Sequence, residues 1–560
     1  MQNTQTPWWG KIGLLWLIFV PLCFIIYVLA QPLAPHDFWY HLRAGAWMME
    51  HLQYPREAMF TPSVPPHTAY FYQSWIAEIL MFLTFKWTGL AGSQVVRAAC
   101  FGSCMIIFVA IAQNRTKVLL PDFNQRARRV AIAALIGMTM CLPNTDLRPQ
   151  AFSLPLFAIF VAIIFAWPRA TQKQFVTHTA WITVLMALWA NLHGAFATGL
   201  ILLATFCLGE TIYYWCSTSF TSWLGKRLNK SQLYAAWIAL GAAIIAACAN
   251  PKGWGIYAYV AELTGNVINI KFNQEWQPPT WNDGVDALYF CCGIAILLML
   301  LLLAVRYYEK KRTSSQSTVN STLATQYGSL CLRPGELLII AAFFVMALRN
   351  VRSIIWFALL FVVAGAVLLC GILPAHQTCS SENITSRLQK CNLSISILLC
   401  LFTVPFLPWF KPLLPWPQSY LKQFIATPDE FSGQPPMLLS NLTPAGTANF
   451  LRQSPPQGLL WNDMVLGSYL VWALYPEQGP WADPRIELRP DSFWYQYMDT
   501  CHAKNDPARA LVREGFSDAL INKEATFQEP LRTALAKSPM WHKVCEDQTA
   551  VLFRYRQWHP

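Results

Sequence analysis

The residues best placed to do chemistry follow the first apolar run, in the segment Pro35-His36-Asp37-Phe38-Trp39-Tyr40-His41-Leu42-Arg43-Ala44-Gly45. Asp37 and His41 are spaced i, i+4, which puts them on one face of a helix, and the aromatic residues around them suit a helix resting on a membrane surface. A carboxylate there can deprotonate or orient an acceptor hydroxyl. It is equally suited to capping a short interfacial helix, and the two roles are compatible. Further along, Arg148, His193, Glu275, Arg349 and Arg352 stand in short polar motifs between apolar runs. Ionisable groups beside such runs face a cavity or a partner, so these five are candidates for one substrate-binding pocket. Arginine forks match phosphate, which makes Arg148, Arg349 or Arg352 candidates for a phosphate contact. The alternative for each is snorkelling to headgroups, or pairing with Glu275 or Asp146. His193 also has a structural alternative, tying a helix end through its ring nitrogens.

The elements that must position these residues follow from composition. The 560 residues are 55% apolar and only 12% charged, about half the charged share of a soluble domain. That excludes a large soluble enzyme and a disordered chain, and it defines a polytopic membrane protein. Residues 1–410 carry 27 Lys/Arg against 14 Asp/Glu, and residues 411–560 carry 14 against 15. The basic excess falls in clusters between apolar runs, where it orients helices, so no nucleic-acid partner is expected. The 16 cysteines include no CxxC or Cys/His ligand spacing, so no metal site is expected from them. Cys501 and Cys545 are the one tail pair that an oxidising compartment could bridge.

Apolar runs near the ~20 residues that a bilayer demands fall at 12–30, 74–90, 95–112, 130–142, 151–167, 178–190, 195–215, 233–249, 287–307, 336–348, 354–373 and 393–410. The basic loops 115–129, 169–173, 226–230, 306–312 and 387–390 are expected on the cytoplasmic side. The loops carrying the candidate site, and the tail, then face outward. One conflict arises: if 74–90 and 95–112 both cross fully, the 115–129 loop falls outside. The polar residues Glu78, Lys86 and Arg97 point to one of the two failing to cross. Residues 313–325 read as a polar Ser/Thr linker.

The tail differs in texture. From about residue 418, turn residues separate short apolar pieces such as 458–461 and 467–472, followed by helical stretches at 508–514 and 531–536 and a strand at 549–555. This predicts a compact α/β domain. Asp483, Arg485, Glu487, Arg489 and Asp491 alternate in sign at period two, which reads as a solvated strand face with cross-strand ion pairs, or as a site orienting an acceptor.

The segment Asp37–Gly45 with Tyr72-Gln73-Ser74-Trp75-Ile76-Ala77-Glu78 resembles the first loop and second helix of bacterial GT-C-type membrane glycosyltransferase-like proteins, a superfamily dependent on polyprenyl-phosphate sugars. Further matches run in order: Leu147-Arg148-Pro149-Gln150, Trp189-Ala190-Asn191-Leu192-His193-Gly194, Asn250-Pro251-Lys252-Gly253, Glu275-Trp276, Arg349, Gly467-Ser468-Tyr469-Leu470 and Ala482-Asp483-Pro484-Arg485. The resemblance implies a GT-C-like α-helical polytopic membrane protein of about 11–13 transmembrane helices (residues 1–410, first external loop 31–73) with a C-terminal soluble α/β domain (residues 411–560). It implies an outward cavity, a polyprenyl-phosphate-linked sugar as donor, and an acidic catalytic or acceptor-orienting residue at the position of Asp37. Many members carry two adjacent acids where this chain has His36-Asp37; a divalent metal is allowed for but not indicated. The expected activity is glycosyl transfer to a glycan, lipid or protein acceptor at the outer face of a bacterial inner membrane. A transporter or lipid flippase, or a non-catalytic envelope assembly protein, are the alternatives.

Overall fold

Apolar runs of this length fold as helices because a helix satisfies its own backbone inside a bilayer, where water cannot. The computed structural model describes residues 13–216, 228–314, 332–372, 385–431 and 433–557. The basic loop 226–230 and the linker 313–325 lie partly outside the described residues. In chain order come α1 (Gly13–Ala30), α2 (Phe38–His51), α3 (Trp75–Arg115), α4 (Phe123–Cys141), α5 (Pro149–Ala166), α6 (Gln172–Leu192), α7 (Phe196–Trp215), α8 (Lys230–Ala247), α9 (Gly255–Gly265), α10 (Val267–Phe272), α11 (Gly284–Ser314), α12 (Pro334–Ala347), α13 (Ile354–Ile372) and α14 (Thr385–Leu401). Among the described residues, α1, α3, α5, α6, α7, α8, α11 and α13 are long and apolar enough to cross a membrane. The helices α4, α12 and α14 pack among them, so the chain is an integral membrane protein with a helical bundle.

The expectation of separate runs at 74–90 and 95–112 is corrected by α3. They form one 41-residue helix, broken at Gly89 with φ 63° and ψ −156°. Glycine is required here twice over: the backbone is left-handed, and a Cβ would stand 1.9 Å from Gln434 Oε1. Before the break, α3 packs on α2 and the C-terminal region, with Phe85 edge-on to Phe431 and Trp472. After it, Gln94 donates to the carbonyls of Leu29 and Gln31, and Arg97 to those of Val28, Gln31 and Pro32. These are the last carbonyls of α1 and its exit, which have no partner of their own, and a cation there complements the helix dipole. Lys411 adds its Nζ to the carbonyls of Leu29 and Ala30 at 3.1 and 2.9 Å. Only the second part of α3 therefore runs through the bundle, and Arg115 ends at the opposite end from the 31–73 loop. At that end the buried pairs Arg115–Glu336 and Arg333–Glu210 tie α3 and α7 to α12.

The C-terminal region carries a four-stranded sheet in the order β1-β2-β4-β3, built from β1 (Leu459–Asn462), β2 (Phe516–Asn522), β3 (Trp541–Glu546) and β4 (Ala550–Tyr555). β1 and β2 are parallel, and the other pairs are antiparallel. The helix Met464–Leu474 follows β1 and includes residues 467–472, which the sequence presents as a short apolar piece. Cys501 and Cys545 are free thiols.

The alternating charges at 483–491 do not form a strand face. They lie on irregular chain around a single 3-10 turn, Ile486–Leu488, with Asp491 opening the helix Asp491–Cys501, and Asp483 and Arg485 are buried. Arg485 Nη2 donates to the Met59 carbonyl at 2.7 Å, to Thr61 Oγ1 at 2.8 Å and to Asp483 Oδ2 at 2.7 Å. The Thr61 hydroxyl donates to Asp483. This pair is thus a rivet between the first loop and the C-terminal domain. Removing one partner of such a pair strands a buried charge, at about 3–5 kcal/mol. Arg485→Met is expected to lower the unfolding midpoint of the detergent-solubilised protein accordingly and to expose residues 52–68 to limited proteolysis, with Arg485→Met/Asp483→Asn recovering part of the loss.

Candidate functional site

Four turns at one end of the bundle deliver the site. Asp37 stands at the N-cap position of α2, but its side chain makes no capping hydrogen bond. Arg148 is extended immediately before α5, where Pro149 at the first helical position fixes the turn. Glu275 sits in the 3-10 turn Gln274–Trp276, capped by Asn273, whose side chain accepts from Glu275 N. Arg352 sits in the turn Val351–Ser353, capped by Asn350. Val351 N donates to the Gln277 carbonyl at 2.9 Å and joins the last two turns.

Arg148 is where the turns meet. Its Nη1 donates to Glu275 Oε2 at 2.9 Å, and its Nη2 lies 2.9 Å from Glu275 Oε1, a bidentate fork. Nη1 is 3.5 Å from Asp37 Oδ2, and Nη2 is 3.3 Å from Asp146 Oδ2. Asp146 Oδ2 also meets His36 Nδ1 at 2.9 Å. Burial works against the Arg148 charge, but the carboxylates of Asp37, Glu275 and Asp146 more than offset it and raise its pKa. Burial alone would raise Asp146; the hydrogen bond to His36 and the charges of Arg148, His36 and Arg97 hold it well below the ordinary carboxylate range. For His36, burial favours the neutral ring, while the bond to Asp146 and the charge of that carboxylate outweigh it and raise the pKa.

A cavity of about 1290 Å³ opens from this cluster, and Asp37, His41, Arg148, His193, Glu275, Arg349 and Arg352 all line it. Asp37 keeps 27% of its side chain exposed there. The buried His41 places Nδ1 2.8 Å from Glu78 Oε1, so that Nδ1–H donates to the carboxylate and Nε2 is the ring's acceptor. His193 Nδ1 accepts from Ala195 N at 3.1 Å, so its proton resides on Nε2. Burial, then the neighbouring Arg352, His41 and Arg148, push the His193 pKa well below the ordinary value, and the ring is a neutral donor. It serves as helix tie and cavity wall together. The motif residues around it are cross-linked: Gln73 Nε2 donates to the Ala190 carbonyl, and Trp75 Nε1 to Asn191 Oδ1.

The cations divide by availability. Arg148 takes the paired arrangement, with its fork on carboxylates. Arg352 donates Nε to Gln150 Oε1 at 2.9 Å and stands 3.9 Å from Glu275. Arg349 is exposed, and its side chain has no ion-pair partner among the described residues. Apolar side chains, among them Ile201, Val260, Leu263, Met346 and Trp356, also line the cavity. The cavity also reaches the C-terminal domain, where Asp463 and Asn522 lie at the carboxyl ends of the parallel strands β1 and β2, a common ligand position in such sheets. Tyr70 donates to Glu487 there at 3.1 Å.

Sequence reasoning left out Glu78 and Asp146 as site residues. Glu78 is an acid in a largely apolar helix, which is itself a signal of function. Asp146, named from the sequence only as an alternative partner of the arginines, stands two residues before Arg148, and the turn before Pro149 folds the two together. Among the described residues no group of three or more His, Cys, Asp or Glu side chains is arranged to hold a metal ion.

Comparison with known protein families and with curated proteins finds no match. Among solved structures, the chain is similar to the archaeal oligosaccharyltransferase AglB from Archaeoglobus fulgidus in complex with an inhibitory peptide and a dolichol-phosphate, at 14% identity and a TM-score of 0.48, over 98% of this chain and 75% of that one. It is also similar to ArnT from Cupriavidus metallidurans bound to undecaprenyl phosphate, at 13% identity and a TM-score of 0.43, over 96% and 97% of the two chains. A second structure of the Archaeoglobus fulgidus oligosaccharyltransferase, with Zn and sulfate, matches at 13% identity and a TM-score of 0.43, over 90% and 68%.

The His36–Asp146 pair has a defined pH window. The raised His36 contributes in full below its ordinary value of about 6.5 and loses that contribution as pH climbs through its folded value. The lowered Asp146 contributes in full above about 3.9 and loses it as pH falls. The side chains are 36% and 32% exposed, so the pair is screened to under about 1 kcal/mol. His36→Asn is expected to lower thermal midpoints most between about pH 4 and 6.5; a pH-independent difference contradicts the pairing.

Proposed function

We propose that this protein is a membrane glycosyltransferase that moves a sugar from a polyprenyl-phosphate donor to an envelope or lipid-linked acceptor. The active site opens on the outer face of a bacterial inner membrane. Residues 1–410 form the membrane part and 411–560 the extracytoplasmic domain. The observation that carries the reading is a single one: a partly exposed carboxylate, Asp37, shares a cavity with two cations not committed to tight ion pairs, Arg349 and Arg352, and with apolar side chains such as Ile201 and Leu263. A lipid phosphate needs this combination, with cations for its head and an apolar surface for its chain.

In the reaction, the acceptor hydroxyl forms a bond to C1 of the sugar as the bond from C1 to the phosphate oxygen breaks, with inversion at C1. The hydroxyl proton passes to Asp37. His41, oriented by Glu78, stands in the same cavity as a second proton acceptor. The electron pair of the broken bond stays on the departing lipid phosphate, where Arg349 and Arg352 stabilise the charge in place, without reorganising. Arg148 holds Asp37 in place by its guanidinium, 3.5 Å away. The products are the glycosylated acceptor and the polyprenyl phosphate.

Positioned proton acceptors contribute about 10²–10⁴-fold. Asp37→Asn in nanodiscs is expected to lower release of polyprenyl phosphate from a panel of polyprenyl-phosphate sugars by at least about 10²-fold. Wild-type rates in the variant overturn Asp37 as the base. Arg349→Ala and Arg352→Ala are each expected to cost about 10²–10³-fold in kcat, the range seen when one charge-stabilising donor is removed.

A further inference from the structure

A site that handles phosphate and gathers carboxylates raises the question of which cation balances it. Three carboxylates from three separate turns, Asp37, Asp146 and Glu275, converge on one guanidinium. We propose that Arg148 is the resident cation of this site, occupying the place between Asp37, Asp146 and Glu275 that a divalent ion would need, so that the protein works there without a bound metal.

The geometry of the donor set supports this. Divalent ions of the magnesium and calcium type take oxygen ligands at about 2.0–2.6 Å from a single centre. Here the carboxylate oxygens stand 2.9 to 3.5 Å from two different nitrogens, held at the two tips of a planar fork. Both oxygens of Glu275 are engaged by that fork. Asp146 Oδ2 is shared between Arg148 and His36, at 3.3 and 2.9 Å. Arg352 approaches Glu275 from another side at 3.9 Å. The Nε of Arg148 is buried with no hydrogen-bond partner, so the side chain acts through its two Nη groups, both turned to carboxylates. An arginine remains charged at any working pH and cannot dissociate, unlike a bound ion. The residues present therefore fit a guanidinium and do not fit a divalent ion.

Metal binding is read without turnover, so its outcome stands apart from whether the protein transfers a sugar. Mn²⁺ is titrated into the purified full chain and followed by electron paramagnetic resonance of the free ion. Wild type and Asp37→Asn are expected to leave the free-ion signal equally unchanged at one equivalent. Arg148→Ala removes the one cation common to the three carboxylates and is expected to bind Mn²⁺ at least about tenfold more tightly than wild type, with the gain lost in Arg148→Ala/Glu275→Gln. Arg148→Lys keeps one charge in place and is expected to exclude Mn²⁺ as wild type does. Saturable Mn²⁺ binding by wild type that disappears in Asp37→Asn overturns the proposal, and this arm decides the matter even if Arg148→Ala does not fold. A folded Arg148→Ala with no gain in Mn²⁺ affinity also overturns it.

Discussion

The contact on which the site depends is the guanidinium of Arg148 among the carboxylates of Asp37, Asp146 and Glu275. Its components are costly alone: an arginine at the mouth of an apolar bundle loses hydration, and three acids at close range repel one another. Together they are mutually compensating, and each acid comes from a different turn. The single cation thereby fixes the 31–37 loop, the turn before α5 and the turn after α10 in one place. This is a constraint on position more than a source of stability, since paired charges of this kind gain little over an apolar replacement.

Around that point, buried polar side chains close a helix end and join loops to the bundle. Arg97, Gln94 and Lys411 satisfy the exposed carbonyls at the end of α1. Arg485 and Asp483 fasten the first loop to the C-terminal domain, and the break at Gly89 lets α3 leave the bundle and pack beneath that domain. The consequence is a cavity walled on one side by rigid helix ends and on the other by the carboxyl ends of β1 and β2. Arg349 and Arg352 are left available because Arg148 absorbs the nearby acids.

Much of this was legible in the sequence, and the limits have physical causes. The apolar runs from α4 to α13 follow from length and composition, because a bilayer imposes both. The seven candidate residues could be gathered into one cavity because ionisable groups at helix ends have few other places to go. The break in α3 was not readable as such: Gly89 differs from a helical glycine only through its contact with Gln434, some 345 residues later. The expectation of a charged strand at 483–491 failed because period-two alternation describes exposed strands, whereas Asp483 and Arg485 pair with each other and with the first loop. Glu78 stayed hidden because its partner, His41, lies on another helix. The role of Arg148 was open between phosphate clamp and ion pair, and only the positions of Asp146 and Glu275 decide it for the pair.

The central claim is that a lipid phosphate sits beside Arg349 and Arg352 with its sugar carbon facing Asp37. Cryo-electron microscopy of the protein in nanodiscs with a non-hydrolysable polyprenyl-phosphate sugar tests it most directly. The account predicts phosphate density within hydrogen-bonding reach of both guanidinium groups, the chain against Ile201 and Leu263, and the Asp37 carboxylate on the opposite side of the sugar from the phosphate. Lipid bound elsewhere on the bundle, or a phosphate held by neither arginine, would contradict it.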